Sequence, residues 1–129
     1  MSIIDQFPHV RVLCLGDVML ERFVTGAARR ISPESPVPVL SVTGSTTIAG
    51  GSANVARNIA SLGGSCTLVG VTGEDACGAE LRRLMQDTPG VVPAFLSAPN
   101  RPTTEKVRFV AQGQHMLRSD NEDSSPVSA

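Results

Sequence analysis

The chain has 129 residues, enough for one domain or part of one, and 41 % of them are hydrophobic, as in ordinary water-soluble folds. Net charge is −1 without basic or acidic runs, and aromatics are 3 % with neither Trp nor Tyr. This balance argues against a nucleic-acid or membrane partner, and no signal-peptide pattern or apolar run of about 20 residues departs from a cytoplasmic expectation.

The first element is the apolar run Val10 to Leu15, closed by Gly16-Asp17. Such a run reads as a buried strand of a parallel sheet. Ligands collect beyond the carboxyl ends of these strands, and Asp17 stands there. A carboxylate accepts from two donors at once, which suits sugar hydroxyls; a turn-forming Asp after Gly is the alternative. Arg22 to Ser32 and Pro36 to Ile48 are rich in Thr, Val, Pro and Gly and suit short exposed strands.

Ala49-Gly50-Gly51-Ser52-Ala53-Asn54-Val55-Ala56 follows. The glycines expose backbone N–H groups, Ser52 is placed to cap a helix, and Val55, Ala56, Ile59 and Leu62 recur on one face. Orphan N–H groups at a helix start favour anionic or hydroxyl-rich ligands, and the Asn54 amide adds a donor and an acceptor. The helix stops at Gly63-Gly64, and Cys66 to Val71 is the next buried strand. A second helix takes Asp75 as its cap, buries Leu81, Leu84 and Met85, and ends at Thr88-Pro89-Gly90. Val91 to Ser97 reads as a strand, then Thr103 to Val110 and Gln114 to Arg118 as a hairpin around Ala111-Gln112-Gly113. Strand–helix–strand order implies a parallel sheet with right-handed crossovers, hence an α/β fold. Cys14, Cys66 and Cys77 form no CxxC pair and read as reduced thiols. His9 and His115 lack metal or triad spacing, and Met19 and Met116 read as packing residues.

Three segments carry a family resemblance: Gly16-Asp17-Val18-Met19-Leu20-Glu21-Arg22, Arg30-Ile31-Ser32-Pro33-Glu34-Ser35-Pro36-Val37-Pro38-Val39, and the double-glycine stretch. Leu62-Gly63-Gly64, Val69 to Asp75 and Arg101-Pro102-Thr103-Thr104-Glu105-Lys106-Val107-Arg108 continue it in order. The chain resembles the ribokinase-like (PfkB) carbohydrate kinases, and within them the heptose 7-phosphate kinases, from about Val10 to Asp123. The resemblance implies a three-layer, Rossmann-type α/β sandwich whose β-sheet lid, about 22–48 and 103–118, covers the sugar and pairs in a homodimer.

It further implies sugar-hydroxyl contacts from Asp17, Glu21, Gly50, Gly51 and Asn54. Glu21 stands where the family usually has Asp, one methylene shorter. Lys106, Arg108 and Arg118 on the hairpin, and Arg57 one turn beyond Asn54, are candidates for a sugar 7-phosphate; solvated surface charge is the other reading of each. The implied reaction moves the ATP γ-phosphate to the anomeric hydroxyl of D-glycero-D-manno-heptose 7-phosphate, with Mg²⁺. In the family the catalytic base lies in a later Gly-Ala-Gly-Asp type loop. Residues 1–123 therefore read as the sugar-binding portion, and 124–129 as a tail leading into a nucleotide-binding half. The expectation is an inactive piece of an enzyme. Another sugar or nucleoside kinase, or a non-catalytic binding and dimerisation module, are the alternatives.

Overall fold

The computed structural model describes residues 2–127. Three apolar runs form one parallel sheet: β1 (Arg11–Leu15), β4 (Ser65–Gly73) and β5 (Val91–Ala98), in the order β1-β4-β5. Helix α1 (Ser52–Ser61) and helix α2 (Ala76–Gln86) supply the crossovers. Ala53 and Ala56 of α1, with Leu81 and Met85 of α2, pack over Cys66, Leu68, Val91 and Phe95. Alanines let α1 lie close to the strands, while each buried Leu or Met side chain contributes about 1.5–3 kcal/mol.

The sheet is covered on one face only. Leu13 and Leu15 are 70 % and 77 % exposed, and Val92 and Leu96 on the same side are 62 % and 64 % exposed. The run Val10 to Leu15 thus forms the expected parallel strand, but its outward residues are open instead of buried. The described residues supply two layers of the expected sandwich, the sheet and one layer of helices.

The second sheet takes in the segments expected to form a lid. It is built from β2 (Val18–Ile31), β3 (Pro38–Gly51), β6 (Glu105–Ala111) and β7 (Gln114–Asn121), ordered β3-β2-β6-β7. Strands β2 and β6 run parallel and the other neighbours antiparallel. The early strands are not short: each has 14 residues, and their register runs from Val18 opposite Gly51 out to Ile31 opposite Pro38. Pairing persists until the ribbon meets the first sheet, where Leu20 and Ala49 enter the core at 0 % and 2 % exposure. The β6–β7 hairpin turns at Gln112 and Gly113, both with positive φ, as a two-residue hairpin loop requires.

Helix α1 corrects two sequence expectations. Its N-cap residue is Gly51, with no side-chain cap; the Ser52 hydroxyl instead donates to the Asp17 carbonyl at 2.9 Å. Its core face is Ala53 and Ala56, with Ile59 partly buried, whereas Val55 and Leu62 are 49 % and 60 % exposed. The apolar stripe is wider than the surface available to cover it. Helix α2 behaves as read: Asp75 caps it by accepting from the Gly78 N–H at 2.8 Å, and Leu81 and Met85 are buried.

One ionic cluster fastens the lid to the body. Arg22 of β2 reaches Glu80 of α2 at 2.9 Å, Glu105 of β6 at 3.1 Å and the Thr47 hydroxyl of β3 at 2.8 Å.

Candidate functional site

The chain end of β1, the start of β2, the end of β3 and the start of α1 converge at Gly16-Asp17 and Gly50-Gly51. The Asp17 carbonyl accepts from both the Ser52 N–H (2.8 Å) and the Ser52 hydroxyl (2.9 Å), so the turn and the helix start are tied together. The two glycines are required for different reasons. Gly51 has φ +61°, and a Cβ there would collide with the Asp17 carbonyl oxygen. At Gly50 the backbone is ordinary, but a Cβ would stand 2.6 Å from Glu21 Oε1 and 2.7 Å from Glu21 Cγ. The glycine shelf is therefore roofed by the Glu21 side chain. The Ser52 N–H is taken by the Asp17 carbonyl, and the N–H groups of the next two residues have no capping side chain.

Beside the shelf lies a cleft of about 570 Å³. Asp17 and Met19 line one side; Arg101, Thr104 and the segment 122–127 line the other. Asp17 is an exposed residue.

The lid face above the shelf carries paired charges. Glu21 and Phe23 of β2 lie opposite Lys106 and Arg108 of β6, which lie opposite Asp120 and Arg118 of β7. Arg108 donates to Glu21 at 2.6 Å and stacks 5.3 Å from the Phe23 ring centre. Lys106 reaches Asp120 at 3.5 Å and Glu122 at 3.3 Å, and Arg118 binds Asp120 through two nitrogens at 2.9 and 3.0 Å. Partial desolvation works against ionisation of Asp120, but Arg118 and Lys106 prevail and hold its carboxyl below the ordinary Asp range.

The structure thus brings Asp17, Glu21, Gly50 and Gly51 together and sets Lys106, Arg108 and Arg118 on the adjoining lid face. Asn54 and Arg57 are exposed on α1 and line a separate hollow with Asn58, Ser61, Thr88 and Pro89.

Two residues take roles at the site that the sequence did not assign, although both lie in the Arg101-to-Arg108 segment that carries the resemblance. Thr103, only 1 % exposed, donates its hydroxyl to Asp75 at 2.7 Å and its N–H to the same carboxylate at 2.8 Å, while its hydroxyl oxygen accepts from the Gly73 N–H at 2.9 Å. Burial alone would raise the Asp75 pKa, but these bonds, with that from Gly78, hold it below the ordinary value. The clasp fixes the segment before β6, whose Thr104 carbonyl accepts from the Leu20 N–H at 2.9 Å. Arg101 then binds the backbone carbonyls of Asp123 and Ser125, holding the far wall of the cleft. An Arg or Thr beside a Pro has no period to mark it, so only the fold reveals these roles.

The three cysteines are free thiols, and burial pushes Cys66 and Cys77 upward, away from reactivity. Among the described residues, no three His, Cys, Asp or Glu side chains gather as metal ligands, and no helix is long and apolar enough to cross a membrane.

A parallel sheet with crossover helices, a glycine shelf beyond its strand ends and a four-stranded lid define a ribokinase-like α/β fold. Phosphofructokinase-2 from Escherichia coli, solved in complex with fructose-6-phosphate, matches with a TM-score of 0.63 at 29 % identity, over 84 % of this chain and 34 % of that one. Arabidopsis thaliana ribokinase complexed with ribose and ATP matches with a TM-score of 0.63 at 29 % identity, over 85 % and 34 %. Residues 10–128 match the pfkB family of carbohydrate kinases, and the chain belongs to that family. It is 49 % identical over 121 residues to the bifunctional protein HldE of Granulibacter bethesdensis, covering 94 % of this chain and 25 % of that protein. The chain spans about a quarter of the length of the curated relatives it matches.

Proposed function

We propose that this chain is the sugar-binding portion of a kinase that phosphorylates D-glycero-D-manno-heptose 7-phosphate at its anomeric hydroxyl in the cytoplasm. The observation that carries the reading is the Gly50-Gly51 shelf with the Glu21 carboxylate over Gly50 and Asp17 lining the adjoining cleft, beneath a lid face bearing Lys106, Arg108 and Arg118. Carboxylates suit sugar hydroxyls, and the lid cations, each paired with a carboxylate, carry further N–H donors for a phosphate ester. Asn54 and Arg57, which line the separate hollow, take no part in this proposal.

ATP is the proposed phosphoryl donor, with Mg²⁺, and both are assigned to parts of the enzyme outside these 129 residues. The cleft beside the shelf carries the carboxylates of Asp17, Glu122 and Asp123 against Arg101, which already donates to two carbonyls. That donor set does not fit a triphosphate, so no phosphoryl-transfer step is routed through it. What these residues do is bind and orient the sugar and exclude water from above it.

Homodimerisation through the lid belongs to the same proposal. The outer lid surface holds an apolar hollow of about 350 Å³ lined by Val37, Leu40, Phe109, Met116 and Leu117. Leu117 is 62 % exposed and Val37 50 %. A second lid would cover these side chains.

The test is ATP consumption by the natural full-length gene product with the heptose phosphate, fructose 6-phosphate and ribose. Preferred turnover of the heptose phosphate supports the proposal. Preference for another sugar reassigns the enzyme within the family, and binding without turnover marks a non-catalytic module.

A further inference from the structure

We infer that Arg108 is a positioning residue for the Glu21 carboxylate and not a direct ligand of the sugar phosphate. The inference rests on the reading of the glycine shelf as a sugar site. Strands β2 and β6 run parallel with Glu21 opposite Lys106 and Phe23 opposite Arg108. Arg108 therefore lies one pair further along the same face and reaches back diagonally to Glu21.

Its hold is close on both sides. Arg108 Nη1 stands 2.6 Å from Glu21 Oε2, and each side chain is 19 % exposed. The guanidinium carbon lies 5.3 Å from the Phe23 ring centre, so the aromatic face fixes the donor as the donor fixes the acid.

The second carboxylate oxygen is left for something else. Oε1 is the atom nearest the space above Gly50, and among the described residues it accepts no side-chain hydrogen bond. It is not a sealed, unsatisfied atom, because no buried side-chain oxygen lacks a partner. Oε1 thus packs against Gly50 and keeps unused acceptor capacity on its side away from the shelf, held in place through Oε2. A glutamate one methylene longer than the usual family aspartate needs such a hold: its extra torsion otherwise spreads the carboxylate over several rotamers.

The neighbouring cations are placed differently. Lys106 shares Asp120 and Glu122 at 3.3–3.5 Å, and the Arg118 side chain is 54 % exposed. Arg118 lies on β7, the outermost strand on that side of the sheet, where a phosphate at the far end of a seven-carbon sugar has room, whereas Lys106 lies on β6 directly opposite Glu21. Direct phosphate contact is assigned to Arg118.

The two roles predict different selectivity. Calorimetry of the unaltered chain, Arg108→Met, Glu21→Gln and the double variant is run with D-glycero-D-manno-heptose and with its 7-phosphate. Positioning predicts that Arg108→Met weakens both sugars by the same factor, about tenfold for the loss of one hydrogen bond to a charged group. Glu21→Gln, which keeps the side-chain volume, weakens both alike, and the double variant loses little more than either single one. A loss confined to the phosphate ester makes Arg108 a phosphate ligand and overturns the inference, as does unchanged affinity for both. Failure of the unaltered chain to bind either sugar, in a sample that unfolds cooperatively in urea, overturns the functional reading itself, a result distinct from the other two.

Discussion

Replacing Thr103 by Val removes one hydroxyl and keeps the shape of the side chain. That hydroxyl donates to Asp75 at 2.7 Å and accepts from the Gly73 N–H at 2.9 Å, at a position 1 % exposed. Two costs follow: a hydrogen bond to a charged acceptor is lost, about 1.5–3 kcal/mol, and a buried N–H is left unpaired, about 1–3 kcal/mol. Because Asp75 keeps the N–H groups of Thr103 and Gly78, we expect the lower part of the sum, about 2.5–4 kcal/mol. Urea unfolding at pH 7 measures it. The pH dependence has a fixed sign. Asp75 has a depressed pKa in the folded chain, so its contribution is present above the unfolded value of about 3.9 and is lost as pH falls through the folded value. The gap between the unaltered chain and Thr103→Val should therefore narrow at acid pH below about 4. A loss under about 0.5 kcal/mol at pH 7, or a gap that does not change with pH, would refute the clasp.

Three further substitutions probe the rest of the frame. Gly51→Ala forces a side chain into a left-handed conformation against the Asp17 carbonyl and should cost about 2 kcal/mol or more, read by thermal unfolding. Arg22→Met strands the Glu80 and Glu105 carboxylates and should cost about 1–2 kcal/mol in urea. The control Arg83→Met, at a 3.8 Å pair whose side chains are 67 % and 69 % exposed, should cost under about 0.5 kcal/mol. Leu117→Asp places a charge in the apolar lid hollow and should convert a dimer to monomers in sedimentation velocity; a monomeric unaltered chain contradicts the lid interface.

Local chemistry made much of the fold legible in the sequence. Asp75 as a cap, Leu81 and Met85 as a buried stripe, the β6–β7 hairpin and the closed apolar strands depend on neighbours in the chain, and each is where its pattern put it. What failed depends on partners distant in sequence. Val55 and Leu62 fit a helical stripe, but periodicity names a face and not the surface that covers it. Ser52 matches a cap by type, yet the positive φ of Gly51 turns its hydroxyl to the Asp17 carbonyl. In the site, the residue types were readable and their pairing was not: Glu21 and Arg108 are 87 positions apart. Asn54 belongs to the motif and lines a hollow separate from the cleft beside the shelf.

The most direct test of a sugar site on the glycine shelf is a calorimetric titration of the unaltered chain, without nucleotide, with D-glycero-D-manno-heptose 7-phosphate and with the unphosphorylated heptose. The account predicts saturable heat with 1:1 stoichiometry for the phosphate ester and weaker binding of the heptose. No heat from a sample that unfolds cooperatively in urea would contradict it.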